Sequence, residues 1–98
     1  MAIAELTVLP IGIETTSVSS YVRAALKIIE ENALDYEVGP MGTCVQGEMD
    51  EIFSVVKAIH EELAKMGCMR LLTTIRIDDR RDKFQTMAAK VAAVTEGL

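Results

Sequence analysis

The chain has no tryptophan, one histidine, two cysteines and two prolines, and only 4% of its 98 residues are aromatic. Each shortage excludes something. Cys44 and Cys68 stand far apart and outside any Cys-x-x-Cys spacing, which removes a disulfide framework and a zinc site and leaves two free thiols. The aromatics are Tyr21, Tyr36, Phe53 and Phe84, and three of them fall on expected helix faces. An RNA-recognition domain, which stacks bases on rings of its central strands, is therefore excluded. Net positive charge is missing as well: ten Lys and Arg against fifteen Asp and Glu give a charge of -5 and a pI near 4.8. That is the wrong sign for a phosphate-backbone partner. No apolar run approaches the roughly 20 residues that cross a bilayer. The opening residues MAIAELTVLPIG lack a basic start and include Glu5, so no secretory leader is expected and the expected location is cytoplasmic.

What is present is hydrophobic patterning. Half of the residues are hydrophobic, enough for one core in a single domain spanning 1–98. Residues 3–11 alternate, with Ala4, Leu6 and Val8 on one side and Glu5, Thr7 and Leu9 on the other, and Pro10 and Gly12 stop this first strand. A first helix is predicted over residues 17–31. Its start has the hydroxyls of TTSVSS, its apolar face has Val18, Tyr21, Val22, Ala25, Ile28 and Ile29 at helical spacing, and Asn32 marks its end. Leu34, Tyr36 and Val38 then alternate with Asp35 and Glu37 before the turn residues Gly39, Pro40 and Gly42, which predicts a hairpin of two short strands.

From Glu48 to Met66 a second helix is expected, with Met49, Ile52, Phe53, Val56, Ile59, His60 and Leu63 as its apolar stripe and Gly67 as its stop. The segment MRLLTTIRID alternates again, Leu71, Thr73, Ile75 and Ile77 against Arg70, Leu72, Thr74 and Arg76. Phe84, Met87, Ala88, Val91 and Val94 form a last helical face. The order is βαββαβ with an additional C-terminal helix. It describes an α+β chain of ferredoxin-like type, a four-stranded antiparallel sheet with both main helices on one face. The other face would expose Thr7, Leu9, Cys44, Leu72 and Thr74 among Glu5, Glu37, Arg70 and Arg76. A half-apolar sheet face calls for a second subunit, so a homo-oligomer of even subunit number is expected.

Catalytic chemistry finds little support in the residues. His60 lies on an apolar stripe, which suits a core or interface histidine better than a general base, and Cys44 has no histidine near it in sequence. Glu48, Asp50 and Glu51 open the second helix, where the helix dipole favours acids, and they are too few for a metal cage. A metallochaperone of the same topology would carry a cysteine pair in the first loop, where this chain has PIGIETTSVSS. No catalytic residues, metal or catalytic cofactor are expected. An enzyme acting through Cys44 or His60 is kept as a minor alternative.

Four segments point elsewhere. VLPIG, SVSSYV, PMGT followed by GEMDE, and RLLTTIRIDDRRDK occur in this order across nearly the whole chain. Together they resemble the small thiamine-binding protein family. The resemblance implies a ferredoxin-like fold, assembly into dimers and commonly tetramers, and binding of thiamine or its hydroxymethylpyrimidine part in place of catalysis. Where the family pattern reads Thr-x-hydrophobic-Glu-Gly, this chain has Thr43, Cys44, Val45, Gln46 and Gly47, an amide in place of the acid.

An aminopyrimidine needs matched hydrogen-bond donors and acceptors, and a thiazolium cation favours carboxylates or an aromatic face. Thr43, Gln46 and Glu48 supply such groups and are expected to form one wall of a pocket, with Ser17, Ser19 and Ser20 as its neighbours and Gly42 and Gly47 allowing close approach. Plainer roles exist for each. The serines can cap a helix, the glycines can serve turns, and Gln46 can sit on a solvated sheet face. The alternative function is a regulatory module of the ACT type that binds an amino acid between paired subunits, with which the turn at Gly12 is compatible.

Overall fold

In a computed structural model that describes residues 1–13 and 18–98, strand alternation sorts the side chains onto two faces of one sheet. In β1 (Ala2–Pro10), Ala2, Ala4 and Leu6 are buried, whereas Thr7 and Leu9 are exposed. The chain continues through α1 (Ser19–Glu31), the hairpin β2 (Asp35–Val38) and β3 (Thr43–Gly47), α2 (Met49–Lys65), β4 (Leu71–Asp79) and α3 (Met87–Thr95). The strands lie in the order β2-β3-β1-β4, and every ladder is antiparallel. This is the ferredoxin-like α+β arrangement, with β1 and β3 central and the C-terminal helix added.

The helices α1 and α2 close the core over one face. Ile29 from α1, Ile52, Val55, Ile59 and Leu63 from α2, and Ala2, Ala4, Leu6 and Val45 from the sheet are all buried together. The small residues Ala2 and Ala4 sit on the central strand, where methyl groups suffice to fill the space beneath the helices. Two details of the expected second helix change. Val55 is buried, while Phe53 is 47% exposed. At 3.6 residues per turn, positions 52, 55, 59 and 63 share one narrow stripe and position 53 falls to its flank. His60 is on the same flank, half-buried, with Nε2 2.6 Å from Thr73 Oγ1.

The first helix begins at Ser19, with Val18 as its N-cap residue, and the expected start at residue 17 lies outside the described residues. It ends at Asn32, whose Nδ2 donates to the Ile28 carbonyl at 2.8 Å. Ala33 then takes the left-handed conformation, φ 57°, that usually selects glycine. Phe84 precedes α3 instead of belonging to it and is 72% exposed.

The third helix returns to the sheet face that α1 and α2 leave open. Its first amide, Met87 N–H, donates to Gln46 Oε1 at 2.7 Å, and Lys90 Nζ is 2.6 Å from Asp78 Oδ2. Thr86 Oγ1 caps it by accepting from Ala89 N–H at 3.1 Å. No residue of α3 is buried. No described helix is long and apolar enough to cross a membrane.

Candidate functional site

The β2–β3 hairpin divides two concavities, one on each face of the sheet. Gly39 N–H donates to the Gly42 carbonyl at 2.8 Å across the turn, and Thr7 Oγ1 lies 3.4 Å from the Met41 carbonyl, tying the turn to β1. Gly42 is fixed by this contact: a Cβ there would meet the Leu6 carbonyl and Thr7 Oγ1 at 3.2 Å. Gly47, at the other end of β3, is fixed by the core, since a Cβ would lie 2.7 Å from Leu34 Cδ2. In this structure both glycines admit the protein's own atoms.

On the helix face lies a cavity of about 350 Å³. Val18, Tyr21, Val22 and Ala25 of α1 form one side, residues 38–43 of the hairpin another, and residues 6–9 of β1 the floor. The lining residues are mostly apolar, with Thr43 and Tyr21 as the hydroxyl-bearing residues whose side chains belong to this face. No carboxylate is among the described residues that line it.

On the open face, register places four polar or charged residues in one row across the sheet: Glu37, Cys44, Glu5 and Arg76. Arg76 Nη2 reaches Glu5 Oε1 at 3.3 Å. Between this row and α3 is a trough of about 420 Å³. Burial first, then the neighbouring carboxylates of Glu5 and Glu37, push the Cys44 thiol above its usual range, with Arg76 acting in the opposite sense. A thiol so placed is less nucleophilic at neutral pH, not more. Cys44 and His60 moreover occupy opposite sides of the sheet, since His60 meets Thr73 on the helix face. They form no dyad.

The candidate residues read from the sequence are separated by this geometry. Thr43 lines the helix-face cavity. Gln46, three residues further along the same strand, points to the open face, where Nε2 donates to Asp35 Oδ2 at 3.0 Å and Oε1 accepts from Met87 N–H. An odd separation along a strand puts two side chains on opposite faces, so the expected single wall is not assembled. Glu48 is the N-cap residue of α2, and its N–H donates to Glu51 Oε1 at 3.0 Å. Ser19 and Ser20 are exposed in the first turn of α1 and are not among the described lining residues, although the cavity starts at Val18 beside them. Ser17 lies outside the described residues. Tyr21, Val22, Pro40 and Met41 line the cavity without being among the sequence candidates, though each belongs to one of the segments SVSSYV and PMGT. No group of metal-ligating side chains gathers among the described residues.

A profile for thiamine-binding protein matches residues 4–95. The chain belongs to the thiamine-binding protein family. Its relatives include the UPF0045 protein YqgV of Bacillus subtilis, 46% identical over 102 residues that cover 100% of this chain and 98% of the relative. A UPF0045 protein of Methanothermobacter thermautotrophicus is 44% identical over 99 residues, covering 100% of both chains. Among solved structures, the hypothetical protein MJ1052 of Methanocaldococcus jannaschii superposes with a TM-score of 0.86 at 32% identity, over 95% of this chain and 94% of that one. A Thermotoga maritima protein, provisionally described as a thiamine biosynthesis/salvage protein, superposes with a TM-score of 0.81 at 27% identity, over 94% and 96% of the two chains.

Proposed function

We propose that the protein binds thiamine or its hydroxymethylpyrimidine part without converting it, in the helix-face cavity, for sequestration, delivery or sensing in the cytoplasm. One observation carries the placement. The two segments SVSSYV and PMGT, far apart in sequence, converge on the same cavity through Val18, Tyr21, Val22, Pro40, Met41, Gly42 and Thr43. Its volume of about 350 Å³ falls in the range of small-molecule sites, roughly 300–1,000 Å³. A mostly apolar slot with hydroxyls at its wall suits a flat, neutral heterocycle that needs a few directed hydrogen bonds. The aminopyrimidine is such a ring, so it is the part of thiamine that the cavity holds, and hydroxymethylpyrimidine alone is sufficient.

Thermal unfolding tests this directly. Thiamine or hydroxymethylpyrimidine at ~100 times its dissociation constant raises stability by about 2.7 kcal/mol, several degrees for a chain of this size. Thr43→Ala abolishes the shift, whereas Gln46→Ala, on the other face, retains it. A shift with an amino acid and none with either thiamine compound would favour the ACT-type reading instead.

Self-association belongs to the same proposal. The chain exposes 6764 Å², whereas a folded monomer of its mass exposes roughly 5,500 Å². The surplus exceeds the ~800 Å² that each partner buries in a standard interface. Leu9 and Leu72 face each other in register at the end of the open face away from α3, both exposed, and β4 has no neighbour along its outer edge among the described strands. A second copy covers this corner. Sedimentation of the wild type as a dimer or tetramer, and of Leu72→Asp as a monomer, is the expected result.

A further inference from the structure

Resting on the reading of the helix-face cavity as the thiamine site, we infer that the main chain of Val8 reads the aminopyrimidine edge, its N–H donating to a ring nitrogen and its C=O accepting from the neighbouring amino group. The strand register leaves this edge free. Ile11 N–H donates to the Arg70 carbonyl at 3.0 Å, and these two residues continue the β1–β4 register as an opposed pair. Opposed pairs in an antiparallel ladder alternate between bonded and non-bonded types. The main-chain groups of Thr7 and Leu9 therefore face β4, and those of Leu6, Val8 and Pro10 face the β3 side. Leu6 is met there by Thr43, where the β1–β3 pairing ends. Continuing that register would set Met41 opposite Val8, but the turn bends toward the open face. A Cβ on Gly42 would meet Thr7 Oγ1 and Glu5 Cγ, and Thr7 Oγ1 lies 3.4 Å from the Met41 carbonyl. The N–H and C=O of Val8 consequently have no hydrogen-bond partner among the described residues, and Val8 lines the cavity. Pro10 carries no N–H, so between Leu6 and Pro10 only Val8 offers a donor and an acceptor side by side on this edge.

The N–H and C=O of one residue are matched by a partner that presents an acceptor beside a donor, as the opposed residue of a strand does. An aminopyrimidine has that pattern, a ring nitrogen next to an exocyclic amino group. An added peptide strand would need several free residues in succession, and only one is available. An anion would use the N–H and leave the C=O unpaired, and a cation would do the reverse. The thiazolium of thiamine has a quaternary nitrogen and no N–H, so it cannot replace the pyrimidine at Val8 and is turned toward the mouth. Main-chain groups left unpaired beside a mostly apolar wall gain most from such a partner. Thr43, next to the free edge and lining the same cavity, adds its hydroxyl.

Amide exchange of the full chain, followed by NMR, tests the assignment. Without ligand, Val8 N–H exchanges faster than the N–H groups of Thr7 and Leu9, which β4 holds. Saturating hydroxymethylpyrimidine slows exchange at Val8 about tenfold or more, and it shifts that amide proton downfield. The same pyrimidine without its amino group binds about tenfold more weakly, the scale of one acceptor left unpaired. Val8→Pro removes the N–H without removing a bond to β4; it keeps the wild-type circular dichroism and weakens hydroxymethylpyrimidine about tenfold. A Val8 amide as protected in the free protein as that of Leu9 overturns the assignment. So does full affinity in Val8→Pro or for the pyrimidine without its amino group, or a Val8 amide unchanged by hydroxymethylpyrimidine while the thermal shift is present and sensitive to Thr43→Ala. Each of these leaves the thiamine reading standing. No thermal shift with thiamine or hydroxymethylpyrimidine overturns both.

Discussion

The two faces of this sheet come from the same strands, and alternate residues of β1 share almost nothing. Ala2, Ala4 and Leu6 are sealed against α1 and α2, whereas Ile3 and Glu5 look onto a trough rimmed by charge. On the helix face the neighbours are fixed by shape, and a lost methylene leaves a hole. On the open face they are fixed by ion pairs and hydrogen bonds that water can replace. The comparison predicts that truncations to alanine cost unequally on the two faces. Ile59→Ala, fully buried, should lower stability by about 2–5 kcal/mol, while Thr74→Ala in the middle of the open face should change it by less than about 0.5 kcal/mol. Urea unfolding of the two variants side by side checks this. Similar losses at both sites would mean that the open face is covered in solution.

Gly47 tests the helix face from the opposite direction, by adding an atom. A Cβ there runs into Leu34 Cδ2, and Leu34 is itself buried. Gly47→Ala should therefore cost about 1–3 kcal/mol. Much of that cost should vanish in a Leu34→Ala background, where the space is free. A double-mutant cycle in chemical unfolding measures the coupling, and strict additivity would show that the glycine is needed for some other reason.

Gln46 is the corresponding probe of the open face. Its amide donates to the Asp35 carboxylate and accepts from Met87 N–H, a pair of roles that an ionised acid cannot fill. Gln46→Glu loses the donor and sets a carboxylate against Asp35. The expected cost is about 1–2 kcal/mol at neutral pH, read most clearly as faster amide exchange at Met87 and through α3. The pH dependence has a definite sign. The neighbouring acid raises the pKa of the new carboxyl in the folded state, so stability relative to wild type is recovered as pH falls and the carboxyl regains a proton that it can donate to Asp35. Loss that is constant with pH would point to packing instead of charge.

Much of this contrast is legible in the amino-acid sequence. The alternation of β1 and β4 assigns each side chain to the face it occupies, and the half-apolar open face follows from it. The order of elements is legible for the same reason, because strand and helix periods differ and the turn residues separate them. The candidate site is less legible. The segments SVSSYV and PMGT do meet at one cavity, but within the hairpin the expected wall joins Thr43 to Gln46 across an odd separation, which alternation forbids on a regular strand. Gln46 stands out in the sequence because it replaces an acid in a pattern. Its partner at Met87 lies 41 residues away and belongs to a helix whose position on the open face no local signal reveals. Glu48 and Glu51 are explained at once by the start of α2, and the structure gives them that task.

Cys44 reports the electrostatics of the open face without disturbing the core. Its thiol is held above the usual range by burial and by Glu5 and Glu37, so its alkylation rate should rise with pH later than that of a free thiol. Removing the charge in Glu37→Gln should move that midpoint down, toward the free-thiol value, while Arg76→Gln should move it further up. A profile indifferent to both changes would mean that burial alone sets the thiol and that the row across the sheet carries no effective field.

The smallest effect is expected where the helix face begins to be built. After Asn32 the backbone must turn sharply enough to drop Leu34 into the core above Gly47, and it does so with Ala33 at φ 57° and bonds from Ala33 N–H to the Glu30 carbonyl at 3.0 Å and Leu34 N–H to the Ile29 carbonyl at 3.4 Å. This closing geometry is the one that glycine adopts without steric cost, whereas an alanine Cβ meets a carbonyl oxygen there at a cost of about 1–2 kcal/mol. The gain from relieving it is reduced by the greater freedom that glycine gives the unfolded chain, about 0.4–1 kcal/mol. Ala33→Gly should therefore stabilise the protein slightly, by up to about 1 kcal/mol, and thermal unfolding at fixed protein concentration should show it as a rise of a few degrees at most. The sign is the informative part. A stabilising glycine would show that burial of Leu34 holds a strained alanine in place, so the core face dictates backbone conformation at its margin, while a destabilising one would mean that the turn is not held left-handed in solution.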